Sequence, residues 1–247
     1  MPTLHSLRIL AGLLDIFTNR HILFDTMSES KLDLLRRRND PRDLSLLRKS
    51  ERTRQNILDT ALEFLWSNAF RDLTVSGLTT QVGISRPCFY QYFADLHDLM
   101  ENLLKILEQE ILSVAQPWFA AGTTPVSKLA ESLSGFVKVG YERGPLVRAV
   151  VEAAPMDERL EQAWNGVVNV FDDAVTARIE QDQAAGLAPA FEARPVAIAL
   201  NRMDIGALIH YFGRRPRSKP QPVYQSIARI WISTIYGQEA LTKFEDQ

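Results

Sequence analysis

From Glu51 to Ser67 the apolar positions Ile57, Leu58, Ala61, Leu62 and Leu65 recur at the spacing of one helix face, which predicts an amphipathic helix with Ser50 as its N-cap. Behind Thr74, a second capping residue, Val75, Leu78 and Val82 fall at i, i+3 and i+7 and so face inward together. Gly83 stops this helix, because glycine takes the left-handed conformation at little cost. Ser85 then caps a third helix, with Pro87 in its first turn, where a missing N–H does no harm. Two short helices joined by a glycine turn predict a helix-turn-helix between Thr74 and Phe93.

The rest of the chain keeps the 3.6-residue period and shows no convincing period-two strand, so the expected fold is all-α. Helices are expected at about Leu96–Ala121, Pro125–Glu142, Pro145–Ala154, Asp157–Ala185, Ala193–Phe212 and Gln221–Leu241. Gly122, Gly144–Pro145, Pro155, Gly186–Pro189 and the basic stretch "GRRPRSKPQP" (Gly213–Pro222) are the breakers between them. The expected division is an N-terminal extension over 1–45, a helix-turn-helix domain over 46–95 and a larger helical domain over 96–247.

"VGISRPCFYQYF" crowds four aromatic residues into five positions. Phe89 and Phe93 are i, i+4 and point to the core, which leaves Arg86, Tyr90, Gln91 and Tyr92 to face outward. Arginine and glutamine can hydrogen-bond base edges, and phenols can reach phosphates, so this face suits a DNA groove. The same spacing also fits an aromatic core helix with an incidental arginine.

The net charge of −2 points to no partner, but its distribution is uneven. Lys31 to Tyr90 holds eleven basic and seven acidic residues, a net +4, which leaves −6 for the remainder. A basic front suggests a polyanion partner, and a solvated face of mixed charge is the alternative. Arg36–Arg38, Arg42, Arg48 and Lys49 fit a disordered basic arm or a plain solvated tail. One cysteine, Cys88, excludes an internal disulfide framework and suits a reducing, cytoplasmic setting. "LRILAGLLDIF" (Leu7 to Phe17) is too short to cross a bilayer and lacks the flanks of a secretory signal, and Met27 is a candidate start. No membrane association is expected. His5, His21, His97 and His210 have no metal-ligand spacing, and nucleotide and hydrolase motifs are missing, so neither a cofactor nor an enzymatic activity is expected.

"TRQNILDTALEFLWSNAFRDLTVSGLTTQVGISRPCFYQYFADLHDLM" resembles the DNA-binding domain of the tetracycline-repressor (TetR) family, over its three helices and the start of the fourth. The resemblance implies a homodimeric, all-helical transcriptional regulator whose third helix enters the major groove of a pseudo-palindromic operator. Carried over by position, Thr74, Ser85, Arg86, Pro87, Cys88, Tyr90, Gln91 and Tyr92 fall where the family touches DNA. Thr74 and Tyr92 would meet phosphates, and Arg86 and Gln91 would read bases. Where the family usually has a lysine, Leu96 stands here, with His97 beside it as the candidate replacement. Gly77 inside the second helix and Thr79 in place of a usual alanine are further departures.

"RIWISTIYGQ" (Arg229 to Gln238) resembles one member of that family with a long hydrophobic pocket. By that resemblance Asn201 matches a ligand-anchoring asparagine, Asp204 stands where a second asparagine is found, and Phe171 replaces a tryptophan. Phe136, Trp164 and Trp231 are further large rings for such a pocket, though any of the four rings can equally be ordinary core. The implied effector is a hydrophobic small molecule that releases the protein from DNA. The implied dimer pairs the last two helices, with Ala197, Leu200, Ala207, Ile230 and Ile235 as packing residues. A helical protein-binding adaptor, or an activator of the same fold, is the alternative.

Overall fold

The computed structural model describes residues 41–120, 122 and 124–246, with side-chain surroundings from Lys49 onward. Among these residues there are nine α-helices, two short 3-10 turns and no strand, so the fold is all-α as expected. They are α1 (Pro41–Leu65), α2 (Val75–Val82), α3 (Arg86–Tyr90), α4 (Leu96–Phe119), α5 (Pro125–Ala153), α6 (Glu158–Ala184), α7 (Ala193–Phe212), α8 (Pro220–Tyr236) and α9 (Gln238–Glu245). The candidate start at Met27 and Arg36–Arg38 lie outside the described residues.

The chain is already helical at Pro41, so Ser50 lies inside α1 and is not its N-cap. Arg42, Arg48 and Lys49 are therefore helical and not part of a disordered arm. The local signals of the next two helices act as expected. Thr74 Oγ1 accepts from the Gly77 N–H, Ser85 Oγ accepts from the Cys88 N–H, and Gly83 takes a φ of 76°. Gly77 gains a reason as well: a Cβ there would stand 3.1 Å from the capping Thr74 Oγ1. The Thr79 hydroxyl is accommodated by donating to the carbonyls of Val75 and Ser76. Phe89 and Phe93 are fully buried with Ile57, Leu58, Leu65 and Leu78. Burying such a side chain stabilises by about 1.5–3 kcal/mol, which is how a helix as short as α3 persists.

α5 departs most from expectation. Gly144–Pro145 reads as a break, yet one helix runs through it for 29 residues. Proline at 145 cannot donate to the Tyr141 carbonyl four residues back. Arg217 Nη1, from the loop after α7, donates to that carbonyl at 2.8 Å instead. The glycine is needed for a different reason. A Cβ at Gly144 would lie 2.5 Å from the Phe212 carbonyl oxygen, so its absence lets the end of α7 cross α5 backbone to backbone.

One turn beyond, Arg148 is buried and ties three parts of the fold together. Its guanidinium donates to the Leu65 and Asn68 carbonyls at the end of α1, to the Gly213 carbonyl after α7 at 2.9 Å, and to Glu152 at 2.7 Å. The basic loop closes the same corner: Arg215 pairs with Glu63 at 2.8 Å, and Arg215 and Arg217 stand over the Trp66 ring. The apolar core consequently forms two clusters that do not follow the expected boundary at residue 95. One joins α1–α4 to the second half of α5 and the first half of α6, and the other holds α7, α8 and the remaining halves.

The expected helix over Gln221–Leu241 is two helices, because Gly237 adopts a φ of 87° that other residues rarely take. Ala197, Leu200 and Ile235, expected on a dimer face, are buried within the protomer. Ile230 and Tyr211 remain exposed on α8 and α7.

Arg148→Ala should leave the Leu65, Asn68 and Gly213 carbonyls short of donors and destabilise the fold by about 3 kcal/mol, more than alanine at an exposed arginine such as Arg229. Paired thermal melts of the two variants check this.

Candidate functional site

Thr74, Ser85, Arg86, Pro87, Tyr90 and Gln91 are exposed and lie together at the N-termini of α2 and α3 and at the end of α3. Arg86 is the exposed first residue of α3. α3 ends at Tyr90, so Gln91 is its C-cap and Tyr92 belongs to the following turn. Tyr92 was expected to face outward, but it is half-buried against the Phe89–Phe93 core; Cys88 is also half-buried. These residues present a cation, an amide and a phenol to solvent.

His97 has another position. Its Nε2 lies 2.6 Å from Asp157 Oδ2, and its ring stands edge-on to Phe70 with centroids 5.6 Å apart. Asp157 is the N-cap of α6 and also accepts from the Leu160 N–H at 3.1 Å. Burial pushes its carboxyl up, but the His97 and backbone hydrogen bonds hold it below its ordinary value. Arg159 adds bonds to Asp95 at 2.8 Å and Glu101 at 2.6 Å. His97 is thus committed to a clasp between α4 and α6, a role its sequence position beside Leu96 does not signal.

A cavity of about 100 Å³ lies where the two apolar clusters meet, with Leu107, Val147 and Val167 from one and Trp118, Leu133 and Trp231 from the other. All six residues expected to line a pocket do so: Phe136, Trp164, Phe171, Asn201, Asp204 and Trp231. Trp118, Phe119 and Ser132 also line it and were not anticipated. Trp118 stands edge-on to Trp231 at 5.8 Å, so two rings from α4 and α8 meet at the wall.

Two polar systems surround this cavity. On one side Asp172, buried on α6, accepts from Asn201 Nδ2 at 2.8 Å and from both outer nitrogens of Arg202 at 3.0 and 3.2 Å. On the other, Trp118 Nε1 donates to Tyr236 Oη at 2.8 Å, which donates to Asp182 Oδ2 at 2.6 Å. Asp182 also accepts from the fully buried Arg178 at 2.7 and 3.1 Å. This network joins the cavity wall to α6 and α8, and an Arg–Asp pair four residues apart is its sequence trace. Burial and the bond to Asp182 push the Tyr236 phenol up. Asp204 stands apart from both. It is buried, Trp231 Nε1 donates to its Oδ1 at 3.2 Å, and burial pushes its carboxyl from 3.8 up to about 8. Among the described residues no cluster of His, Cys, Asp and Glu is suited to a metal ion, and no helix is long and apolar enough to cross a membrane.

This architecture has relatives. Residues 129–237 match the family described as transcriptional regulator EthR, C-terminal domain. The chain is 27% identical over 187 residues to the HTH-type transcriptional regulator EthR of Mycolicibacterium smegmatis, spanning 73% of this chain and 85% of that one. In sequence and in fold the chain resembles the TetR-family transcriptional regulators. Solved structures share the fold: a TetR-family regulator from Agrobacterium tumefaciens (TM-score 0.61, 17% identical, 76% of this chain and 99% of that one) and NalD, the secondary repressor of the MexAB-OprM multidrug efflux pump in Pseudomonas aeruginosa (TM-score 0.62, 15% identical, 76% and 98%). The family match covers the cavity walls from α5 to α8, and within that span this chain carries Asp204 as a buried carboxyl.

Between pH 4 and 8 the folded protein keeps an Asp204 proton that the unfolded chain has lost. The stability this adds is present below about pH 4 and is lost as pH rises to about 8, by at most about 1.4 kcal/mol per pH unit. Asp204→Asn should therefore gain stability relative to the parent on going from pH 5 to pH 8. A difference in melting temperature that stays constant over that range would show an ionised Asp204.

Proposed function

We propose that this chain is a cytoplasmic homodimeric TetR-family repressor that leaves a pseudo-palindromic operator when a hydrophobic small molecule fills the cavity. The observation that carries the reading is the place of the cavity. It lies at the junction of the two apolar clusters, and α4 runs unbroken from Leu96, beside the helix-turn-helix, to Trp118 and Phe119 in the cavity wall. A ligand alters DNA affinity only if it favours one arrangement of the reading heads over another. Filling the cavity separates α4 from α7 and α8, and shifts of about 1–2 Å in such a helix suffice to move two heads out of register with successive grooves.

In this reading Arg86 and Gln91 contact base edges, and Thr74, Tyr90 and Tyr92 contact phosphates. Ser85, Pro87 and Cys88 bring the start of α3 close to the backbone. The half-burial of Tyr92 supports a phosphate role, since its ring is held by the core while its hydroxyl sets the depth of docking. The exposed Ile230 and Tyr211, with Gly206 open to close approach, support pairing through α7 and α8. Ala207 completes that face.

DNA from upstream of the protein's own gene, titrated in fluorescence anisotropy, tests the first half of the reading. Affinity should fall linearly with salt on log–log axes, and Arg86→Ala should cost about 1–3 kcal/mol on the operator but little on random DNA. Equal binding of parent and variant to both DNAs removes Arg86 as a base reader.

Sedimentation of the free protein at micromolar concentration should give twice the 28.0 kDa of one chain. Ile230→Glu should shift the boundary to the monomer and abolish cooperative operator binding. A parent protein that sediments as a monomer overturns the dimer.

A further inference from the structure

We propose that the cavity takes a lipophilic amine, bound as its ammonium against Asp204 and Asn201 with its apolar body among the aromatic rings. This rests on reading the cavity as the ligand site and adds the chemical class of the ligand. Six rings line the wall: Trp118, Phe119, Phe136, Trp164, Phe171 and Trp231. Their faces are negative, so a desolvated cation placed over them is attracted, which a neutral or anionic group is not.

The polar groups of the wall favour a donor. Ser132 is committed to α4, accepting from the Trp118 N–H and donating to the Ala115 carbonyl. Asn201 directs its Nδ2 to Asp172; a carboxylate held by Arg202 can only accept, which fixes the amide and leaves Asn201 Oδ1 as an acceptor. Asp204 has one oxygen held by Trp231 and a second for the ligand. The two residues are one turn apart on α7, so an ammonium with two or three N–H groups can reach both. An alcohol can donate to one of them, and a carboxylate to neither. No basic side chain lines the cavity.

The proton balance is explicit. The amine arrives as an ammonium, Asp204 arrives as a carboxylic acid, and the bound state is an ammonium–carboxylate pair with one proton released to solvent. Asp204 is the one titratable side chain in the wall; the residues contributed by α4, α5, α6 and α8 are uncharged. Burial raises its carboxyl and the Trp231 bond lowers it, with no charged neighbour among the causes. Asp172 and Arg202 neutralise one another behind Asn201, and Asp182 is paired with Arg178 beyond Trp118. Proton release should therefore report Asp204.

The test is calorimetric titration of the full-length, DNA-free protein with 2-phenylethylamine, 2-phenylethanol and phenylacetate, in two buffers of different ionisation enthalpy. The amine is expected to bind at least about tenfold tighter than the alcohol or the acid at pH 8, to release about one proton at pH 6, and to weaken by about tenfold from pH 7 to pH 6. Asp204→Asn should keep a cooperative thermal melt, which shows that the variant is folded, and lose both the amine preference and the proton release. Equal binding of amine and alcohol, a preference that survives Asp204→Asn, or no binding of the amine at all overturns the proposal. Anisotropy with operator DNA separates this from the reading of the switch. An amine that binds through Asp204 without changing DNA affinity leaves the ligand class standing and removes the switch; an alcohol that binds as tightly as the amine and releases DNA does the reverse.

Discussion

The arrangement of the molecule depends on α5 remaining a helix through Pro145. A proline inside a helix removes one backbone donor and costs about 3 kcal/mol or more when nothing compensates. Arg217 compensates from the loop after α7, by donating to the Tyr141 carbonyl while stacking on the Tyr141 ring 3.6 Å from its centroid. Because the helix continues, Val147, Arg148 and Val150 reach the end of α1 and the core of the helix-turn-helix. A break at Gly144 would take the second half of α5 away from the end of α1 and the core of the helix-turn-helix. The loop that repairs α5 also packs on Trp66 and Glu63, so the same arginines that preserve the helix hold the reading head to it.

This constraint bears on how ligand and DNA communicate. The head shares its core with α5 and α6, and the clasp of His97 with Asp157 and of Arg159 with Asp95 and Glu101 closes the other side. A head held this way does not swing freely on a linker. It follows whatever α4, α5 and α6 do, and those three helices are also walls of the cavity. Exposed ion pairs such as those of Arg159 contribute little energy each, so the clasp fixes direction more than it adds stability. The shared apolar core is what transmits force, since packed side chains have few alternative arrangements and resist small displacements.

The sequence revealed what is encoded locally. Thr74, Ser85 and Gly83 act within a few residues of themselves, as two caps and a left-handed stop, and they could be read without any knowledge of the tertiary structure. The cavity residues were named through the resemblance, which supplied Asn201 and Asp204; the rings by themselves fitted ordinary core as well as a pocket. The break at Gly144–Pro145 was misread because its remedy comes from an arginine 76 positions from the Tyr141 carbonyl that it satisfies. Ser50 was misread because the polar run from Arg48 to Asn56 interrupts the apolar period of α1. Gly237 did carry a signal, but the apolar pattern continues to Leu241 and hid it. Ala197, Leu200 and Ile235 showed the faces of their helices but not which partner covers them, and in the folded protomer those faces turn inward. His97 was placed by its neighbour Leu96, whereas its actual partner sits at the start of a helix 60 positions later.

The contrast among the buried acids gives the last step. Asp172 and Asp182 are buried as deeply as Asp204, yet each faces an arginine and further donors. A buried carboxylate satisfied in this way is a structural element: removing its partner costs several kcal/mol, and its bonds to a second helix, from Asn201 and Arg202 on α7 to Asp172 and from Tyr236 on α8 to Asp182, fix the register. Asp204 has one indole N–H and no cation. A fold that needed a third strut there would do better with an asparagine or an apolar residue, since a carboxyl pushed up to about 8 costs stability at neutral pH without adding a contact. The two paired acids account for themselves within the protomer. The unpaired one, on the wall of an aromatic cavity and one turn from a free amide oxygen, is accounted for by a partner that enters from outside.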